Sequence, residues 1–479
     1  MYGAAAVWPR RFAKMWVGRR SGNRQFGRST LRASLPGPDA RLIPDHPRPP
    51  MPMTPPARWT FPTARVRAAL ATMVFVLSLA PAAARADDVV VIWMDLTDWA
   101  LEQAWESDRN FRKATNTRAG AQVALAMFEA VNAIDRRYTS YLGGITAPSG
   151  ASADAAAAQA AHTVLVAMVP AQKDALDQAL ALSLSTVTDS AARVAGVDVG
   201  RRAAAAAMAR AALPAGHPLA AYRPRTAPGA YIDPGLPSIY PFDLAMPPFV
   251  LDSAAEIRPE PPPALTSARY ARDLDEVRRL GARESADRPA TKTALAPALL
   301  GLDYAALLRD VARQAGRTPV QNARMYALFN MAGEDGWLAV MEAKMHFGTW
   351  RPITAIRNAD QDGNDATTEV PEWEPLLRTP THPDYPCGHC VWSAATAVVL
   401  EAETGPAPAG GIQLRSVDHS PGHTITVPTW TAFVDEMSMS RIYAGAHTRA
   451  ANEVAEAMGR TVARRALATL MRPLTSAAH

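Results

Sequence analysis

The chain has 479 residues, 48% of them hydrophobic, which is ample for a large core, and its pI near 9.3 invites a nucleic-acid reading. The charge map removes that reading: residues 1–86 hold thirteen Arg and Lys14 against Asp39 and Asp45, which leaves 36 basic and 43 acidic residues in 87–479. The body of the protein is therefore net acidic, and two cysteines, Cys387 and Cys390, are too few for a disulfide framework.

Arg65 and Arg67 precede the apolar run 68–80, and Ala84-Arg85-Ala86 puts small residues at both positions a signal peptidase reads. Cleavage after Ala86 is expected, with delivery to the periplasm or the medium. The run is too short to span a bilayer comfortably, so no stable membrane anchor is expected after processing. Residues 1–50, rich in Arg, Pro and Gly, read as disorder or as sequence ahead of a more natural start at Met51 or Met53.

Residues 89–93 form a short apolar run compatible with a strand or the first turn of a helix. From Thr115 to Tyr138 the apolar residues Val123, Ala126, Met127, Ala130, Val131 and Ile134 recur at helical spacing. Ala-rich helices are expected over 151–169, 171–185 and 189–213, broken at Pro170 and Thr186–Asp189. No heptad is sustained, which disfavours a coiled coil. Residues 214–264 carry thirteen prolines and the apolar anchors Tyr231, Tyr240, Phe242 and Phe249, the pattern of a long loop wrapped over the surface. Helices resume at 266–282 and 302–315. Thr318-Pro319-Val320-Gln321 is a capping box that opens a helix running to about Gly348. A loop over 359–381 leads to helices at 388–403, 429–443 and 448–471, with a small hairpin expected from 412–414 and 423–427. The expected fold is all-α, a multi-helix bundle with at most that hairpin, in one domain over 87–479 whose motif-bearing core is 317–471.

That core concentrates the chemistry. Lys344 and Arg351 are seven residues apart, close to two helical turns, so both can project from one face near the helix end before Pro352 turns the chain. Pro386-Cys387-Gly388-His389 opens a helix, placing free N–H groups beside Gly388 and an imidazole at His389. Arg441 and His447 are six apart, and Gly445 between them allows a turn that brings guanidinium and imidazole together. Three cations around two histidines need an anionic guest or several carboxylates, because unpaired buried charges are too costly.

In order and spacing, Lys344…Arg351-Pro352, Pro386-Cys387-Gly388-His389 and Ser440-Arg441…His447 resemble the Lys-x6-Arg-Pro, Pro-Ser-Gly-His and Ser-Arg-x5-His signature. That signature unites vanadium-dependent haloperoxidases with type 2 phosphatidic acid phosphatases and bacterial acid phosphatases. The wording Phe347-Gly348-Thr349-Trp350-Arg351-Pro352 is most similar to the soluble bacterial haloperoxidase-like branch, and the resemblance spans nearly all of 90–470. It implies a vanadate cofactor, or phosphate in the same site of a phosphatase. It assigns His447 as the axial vanadium ligand or phosphoryl-accepting nucleophile, and Lys344, Arg351 and Arg441 as partners of the equatorial oxygens. Gly388 would donate its N–H, and His389 would be the general acid/base. Lys344 would also polarise bound peroxide. The implied substrates are peroxide, halide and an organic acceptor, or a phosphomonoester; homo-oligomeric assembly stays open.

The chain departs from the signature at two positions. Cys387 stands where the family has a serine whose hydroxyl contacts an equatorial oxygen, and a thiol is a weaker donor. Ala451 stands four residues after His447, where many relatives place the aspartate that orients the axial histidine, and Asn452 is adjacent. His382 occupies a position where bromide-preferring relatives carry histidine and chloride-oxidising ones phenylalanine, which tilts the expectation toward bromide or iodide. Trp350 is expected to line the site beside it, and Glu334 and Asp335 to pair structurally or with a cage arginine. Other readings stay open at this level: a Cys-Gly-His-Cys thiol–disulfide motif, which requires a thioredoxin-like βαβ unit; a zinc site from His382, Cys387, His389 and Cys390; and a degenerate cage that binds an oxyanion without turnover. Cys387 and Cys390 can also close a disulfide in an oxidising compartment.

Overall fold

The computed structural model describes residues 88–107, 113–212, 225–232, 246–417 and 422–474. The expected export segment within 1–86, and His217, Tyr240, Phe242 and His419, lie outside them. The ambiguous run after residue 88 is helical, because the Asp88 carboxylate caps it, accepting the N–H groups of Val90 and Val91 at 2.9 and 3.0 Å. The N-terminal half consists of α1 (Val89–Ser107), α2 (Lys113–Ile134), α3 (Ala153–Met168), α4 (Lys173–Ser185) and α5 (Ser190–Ala211). Ser152 and Asp189 cap α3 and α5.

The C-terminal half contains α6 (Ala268–Leu280), α7 (Ala290–Leu300), α8 (Tyr304–Ala312), α9 (Pro319–Phe347), α10 (Pro352–Arg357), α11 (Gly388–Thr404), α12 (Trp430–Tyr443) and α13 (Arg449–Thr469). Strands β1 (Ile412–Arg415) and β2 (Thr424–Val427) pair antiparallel, with Ile412 opposite Val427. Among the described residues the fold is all-α apart from this hairpin. Two helices were not legible in the sequence. The internal Pro297 disguises α7, which nevertheless buries Leu295, Ala296 and Leu299, and α10 is a single short turn opened by Pro352.

Helix α9 is the shared wall, packing against α2 on one side and α11 and α13 on the other. Its capping box is formed, with Gln321 Oε1 accepting the Thr318 N–H at 2.9 Å. Polar groups buried in this wall are satisfied locally. Glu334 accepts from Thr117 Oγ1 at 2.5 Å and faces Arg118 at 3.9 Å. Asp335 accepts the N–H groups of Phe249, Val250 and Leu251 at 2.8, 2.6 and 2.9 Å, which pins the described end of the Pro-rich loop to α9. Both acids therefore tie α9 to its neighbours. On the other side, α11 and α13 cross so closely that a Cβ on Gly459 would lie 2.3 Å from the Val391 carbonyl oxygen. That crossing brings the first turns of the two helices together, and the Cys387 N–H donates to the Ala451 carbonyl at 2.9 Å. Among the described residues no helix is long and apolar enough to cross a membrane.

Candidate oxyanion site

Lys344 and Arg351 do not share a helix face as their spacing suggested. Lys344 sits in the last turn of α9, whereas Arg351 lies beyond Gly348 in extended backbone and caps α10. The two converge because both grip the segment 382–384. Lys344 Nζ donates to the carbonyls of Pro383 and Asp384 at 2.7 and 2.9 Å, and Arg351 Nε donates to the His382 carbonyl at 2.6 Å. Arg351 Nη1 also donates to the Ala446 carbonyl at 2.7 Å and approaches His447 Nε2 at 3.1 Å. Three separate stretches are thus tied to one point.

The turn at Gly445 brings in the third stretch. Gly445 has φ +70°, and a Cβ there would meet the Gly281 carbonyl oxygen at 2.6 Å and Pro375 Cβ at 2.7 Å. The chain reverses after α12, so the N–H groups of Ala446 and His447 return to the Arg441 carbonyl at 3.1 and 3.4 Å. Arg441, in the last turn of α12, and His447 are each 2% exposed. On α11, Cys387 is the N-cap, and the first-turn N–H groups at Gly388 and His389 have no intrahelical acceptor. Gly388 is also sterically required, since a Cβ would sit 2.8 Å from the Trp337 ring.

Asp384 is the residue that the sequence reading missed. Its Oδ1 lies 2.7 Å from His447 Nδ1, and its Oδ2 accepts from Thr448 Oγ1 at 2.8 Å. The carboxylate sought at position 451 is absent there, but Asp384 supplies its function from 63 residues upstream. The position gave no spacing signal, because the loop 359–387 carries it to the ring. With Nδ1–H donated to Asp384, Nε2 is the lone-pair nitrogen of His447. Asn452 does not compensate for Ala451: it donates to the Ser438 carbonyl at 2.9 Å and accepts from Cys390 Sγ at 3.4 Å.

Electrostatics follow from burial. His447 is held well below the usual imidazole pKa by burial and then by Arg351, Lys344 and Arg441; His389 by burial and then Arg441. His382 is shifted the same way by burial, with Arg351 Nη2 2.9 Å from its Nδ1. Burial likewise pushes the Lys344 ammonium well below its ordinary value, with Arg351 adding to the shift. Burial raises the Asp384 carboxyl, and Arg351 and Lys344 pull it back. For Cys387, burial raises the thiol pKa, but the Cys390 hydrogen bonds, Arg441 and Lys344 outweigh it and leave it lowered.

The structure therefore brings together Lys344, Arg351, Arg441, His389, His447, Cys387, Gly388 and His382. Trp350 lies instead in a separate apolar cluster with Tyr270 and Ile356. It lines a neighbouring cleft of about 380 Å³ with Phe347 and Tyr385, which borders the cage through Asp384 and Thr448. The thiol–disulfide fold alternative fails, since Cys387 follows a loop in a helical bundle and no βαβ unit is present among the described residues. Nor do those residues contain a cluster of three or more His, Cys, Asp or Glu fit for a metal cation.

Lys344, Arg351 and Arg441 are buried around the carboxylate of Asp384, which lies 3.9 Å from Arg351, a cation-rich arrangement that suits a tetrahedral or trigonal-bipyramidal oxyanion. Lys344 spends two of its three N–H groups on carbonyls, which leaves the third for such a guest. The donor set fits vanadate or phosphate. This is a helical protein with a buried, cation-rich cluster at the C-terminal end of α9.

Residues 324–476 match the family model of the VCPO second helical-bundle domain. Among solved structures, the fold is similar to the first bacterial vanadium-dependent iodoperoxidase at 23% identity and a TM-score of 0.63, covering 80% of this chain and 97% of that one. It is also similar to the holo-type bacterial vanadium-dependent chloroperoxidase at 20% identity and a TM-score of 0.56, covering 81% and 93%. The apo-type bacterial chloroperoxidase gives 18% identity and 0.55, covering 74% and 92%. A search of curated protein sequences finds no match. The family match is confined to residues 324–476, and over the rest of the chain the likeness is one of fold.

Proposed function

We propose that the protein is an exported vanadium-dependent haloperoxidase-like enzyme that oxidises bromide or iodide with hydrogen peroxide. The observation that carries the reading is the buried pairing of His447 with Asp384 beside Lys344, Arg351 and Arg441. Vanadate, when bound, supplies the Lewis-acidic centre that activates peroxide toward halide. His447 Nε2 would hold it, and Lys344, Arg351, Arg441 and the Gly388 N–H would neutralise its oxygens. His389, neutral and partly open to solvent, is the base that takes a proton from incoming peroxide. Lys344, with an ammonium held beside the site by the Pro383 and Asp384 carbonyls, would polarise peroxide there. His382 against Arg351 supports bromide or iodide over chloride, and the cleft beyond Asp384 offers room for an organic acceptor.

A second reading rests on the same dyad. A histidine whose Nδ1–H is held by a carboxylate is equally suited to take a phosphoryl group on Nε2, with His389 protonating the leaving alcohol. One experiment separates the two: bromide and iodide oxidation by peroxide after loading with orthovanadate, beside phosphate release from a phosphomonoester without vanadate. Halide oxidation supports the first reading. Phosphate release without halide oxidation overturns it in favour of the second.

A further inference from the structure

Cys387 and Cys390 are both fully buried at the first turn of α11, and their sulfurs are 2.8 Å apart. Cys387 is the N-cap of the helix, and its Sγ accepts the Cys390 N–H at 3.3 Å as well as the Cys390 S–H. The two side chains are thus already aimed at each other. Both pack in the main apolar core, and Cys390 Sγ also lies 3.4 Å from Asn452 Oδ1 on α13. Cys387 also sits one residue before Gly388 and two before His389, on the wall of the cage.

We propose that Cys387 and Cys390 form a reversible dithiol–disulfide couple, a modification site whose oxidation weakens oxyanion binding in the adjacent cage. The proposal rests on the oxyanion reading of that cage. Cys387 is the first nucleophile, because the helix N-terminus and the Cys390 S–H both favour charge on its sulfur. Its thiolate attacks a hydroperoxide: an S–O bond forms, the O–O bond breaks, and the departing oxide takes a proton and leaves as water or alcohol. The Cys390 sulfur then gives up its proton and attacks the sulfenic sulfur; the S–S bond forms, the S–O bond breaks, and water leaves. Two thiols are oxidised and one hydroperoxide is reduced. Entry is through His389, the partly exposed member of the turn. A small dithiol reverses the reaction by thiol–disulfide exchange. The disulfide has no S–H, so the cage would lose the donor that a Cys387 thiol, at the place of the relatives' serine hydroxyl, can turn toward an oxyanion.

The experiment uses the full chain. Titration with hydrogen peroxide, then dithiothreitol, is followed by intact mass and thiol count, and orthovanadate and orthophosphate affinities are measured by calorimetry on the reduced and oxidised forms. The expected result is loss of both thiols and of two hydrogens in mass, full reversal by dithiothreitol, and affinity about tenfold weaker in the oxidised form, equivalent to about 1.4 kcal/mol. Cys390→Ala, carried through the same peroxide and dithiothreitol steps, shows no loss of two hydrogens, because Cys387 has no intramolecular partner. Retention of both thiols in folded protein overturns the couple. A disulfide with unchanged or tighter binding overturns the regulatory part. Failure of both oxyanions to bind the reduced form overturns the cage reading and the regulatory part together, while the mass readout still decides whether the disulfide forms.

Discussion

Two residues decide how well the cage performs, and one of them was invisible in the sequence. Asp384 orients His447 from a loop, whereas the signature predicts that carboxylate on the helix that follows the histidine. Replacing it by Asn keeps the shape but loses the charge and breaks the preference for Nδ1–H. Asp384→Asn should therefore lower vanadate affinity and turnover by roughly 10–100-fold while leaving the fold intact, as calorimetry, a halide assay and circular dichroism would register. An unchanged affinity would mean that Asp384 merely caps Thr448. Cys387 gives the opposite expectation. A hydroxyl is the stronger donor to an anionic oxygen, so Cys387→Ser should tighten orthovanadate binding by roughly five- to tenfold and make it insensitive to oxidant. Weaker binding by the serine variant would show that the thiol is not turned toward the guest. The cations were legible because each has a distinctive neighbour, Pro352 after Arg351 or Gly445 between Arg441 and His447. Asp384 was not, because a carboxylate in a loop has no periodicity to betray what it faces.

At the level of elements, the helices of the bundle followed from alanine spacing and caps, and their ends agree with the structure within a few residues. What the pattern could not supply is convergence. Lys344 and Arg351 meet through the backbone carbonyls of 382–384, not along one helix face, and nothing in their separation specifies that. The sharpest joint is the reversal between α12 and α13. Gly445→Ala would force a side chain into the left-handed region and against the Gly281 carbonyl and Pro375. Strain and clash together should cost at least about 2 kcal/mol, seen as a fall of several degrees in melting temperature. Because the same turn sets Arg441 and His447, oxyanion affinity should fall with it. A variant of native stability but lost affinity would locate the effect in the cage; native values of both would show that the turn relaxes.

Across the whole molecule, the two helical halves meet on α9, and buried cations gather at its C-terminal end, inside a body that is otherwise net acidic. A protein arranged this way should couple anion binding to proton uptake. Burial and the neighbouring cations hold His389 and His447 well below the usual imidazole pKa. A bound dianion offsets those cations, so the histidine pKa values rise in the complex. The complex then carries protons that the free protein lacks, which makes affinity greatest at low pH and lost as pH rises through the bound-state pKa. Sulfate is the informative probe, since its own charge is constant across the range. Its affinity should weaken between about pH 5.5 and 7.5, by at most about tenfold per pH unit for each proton coupled. His389→Gln should flatten part of that slope and leave the remainder to His447. Sulfate affinity that is level with pH in the unmodified protein would mean that the cations are neutralised from within and that the cage has no call for an anion.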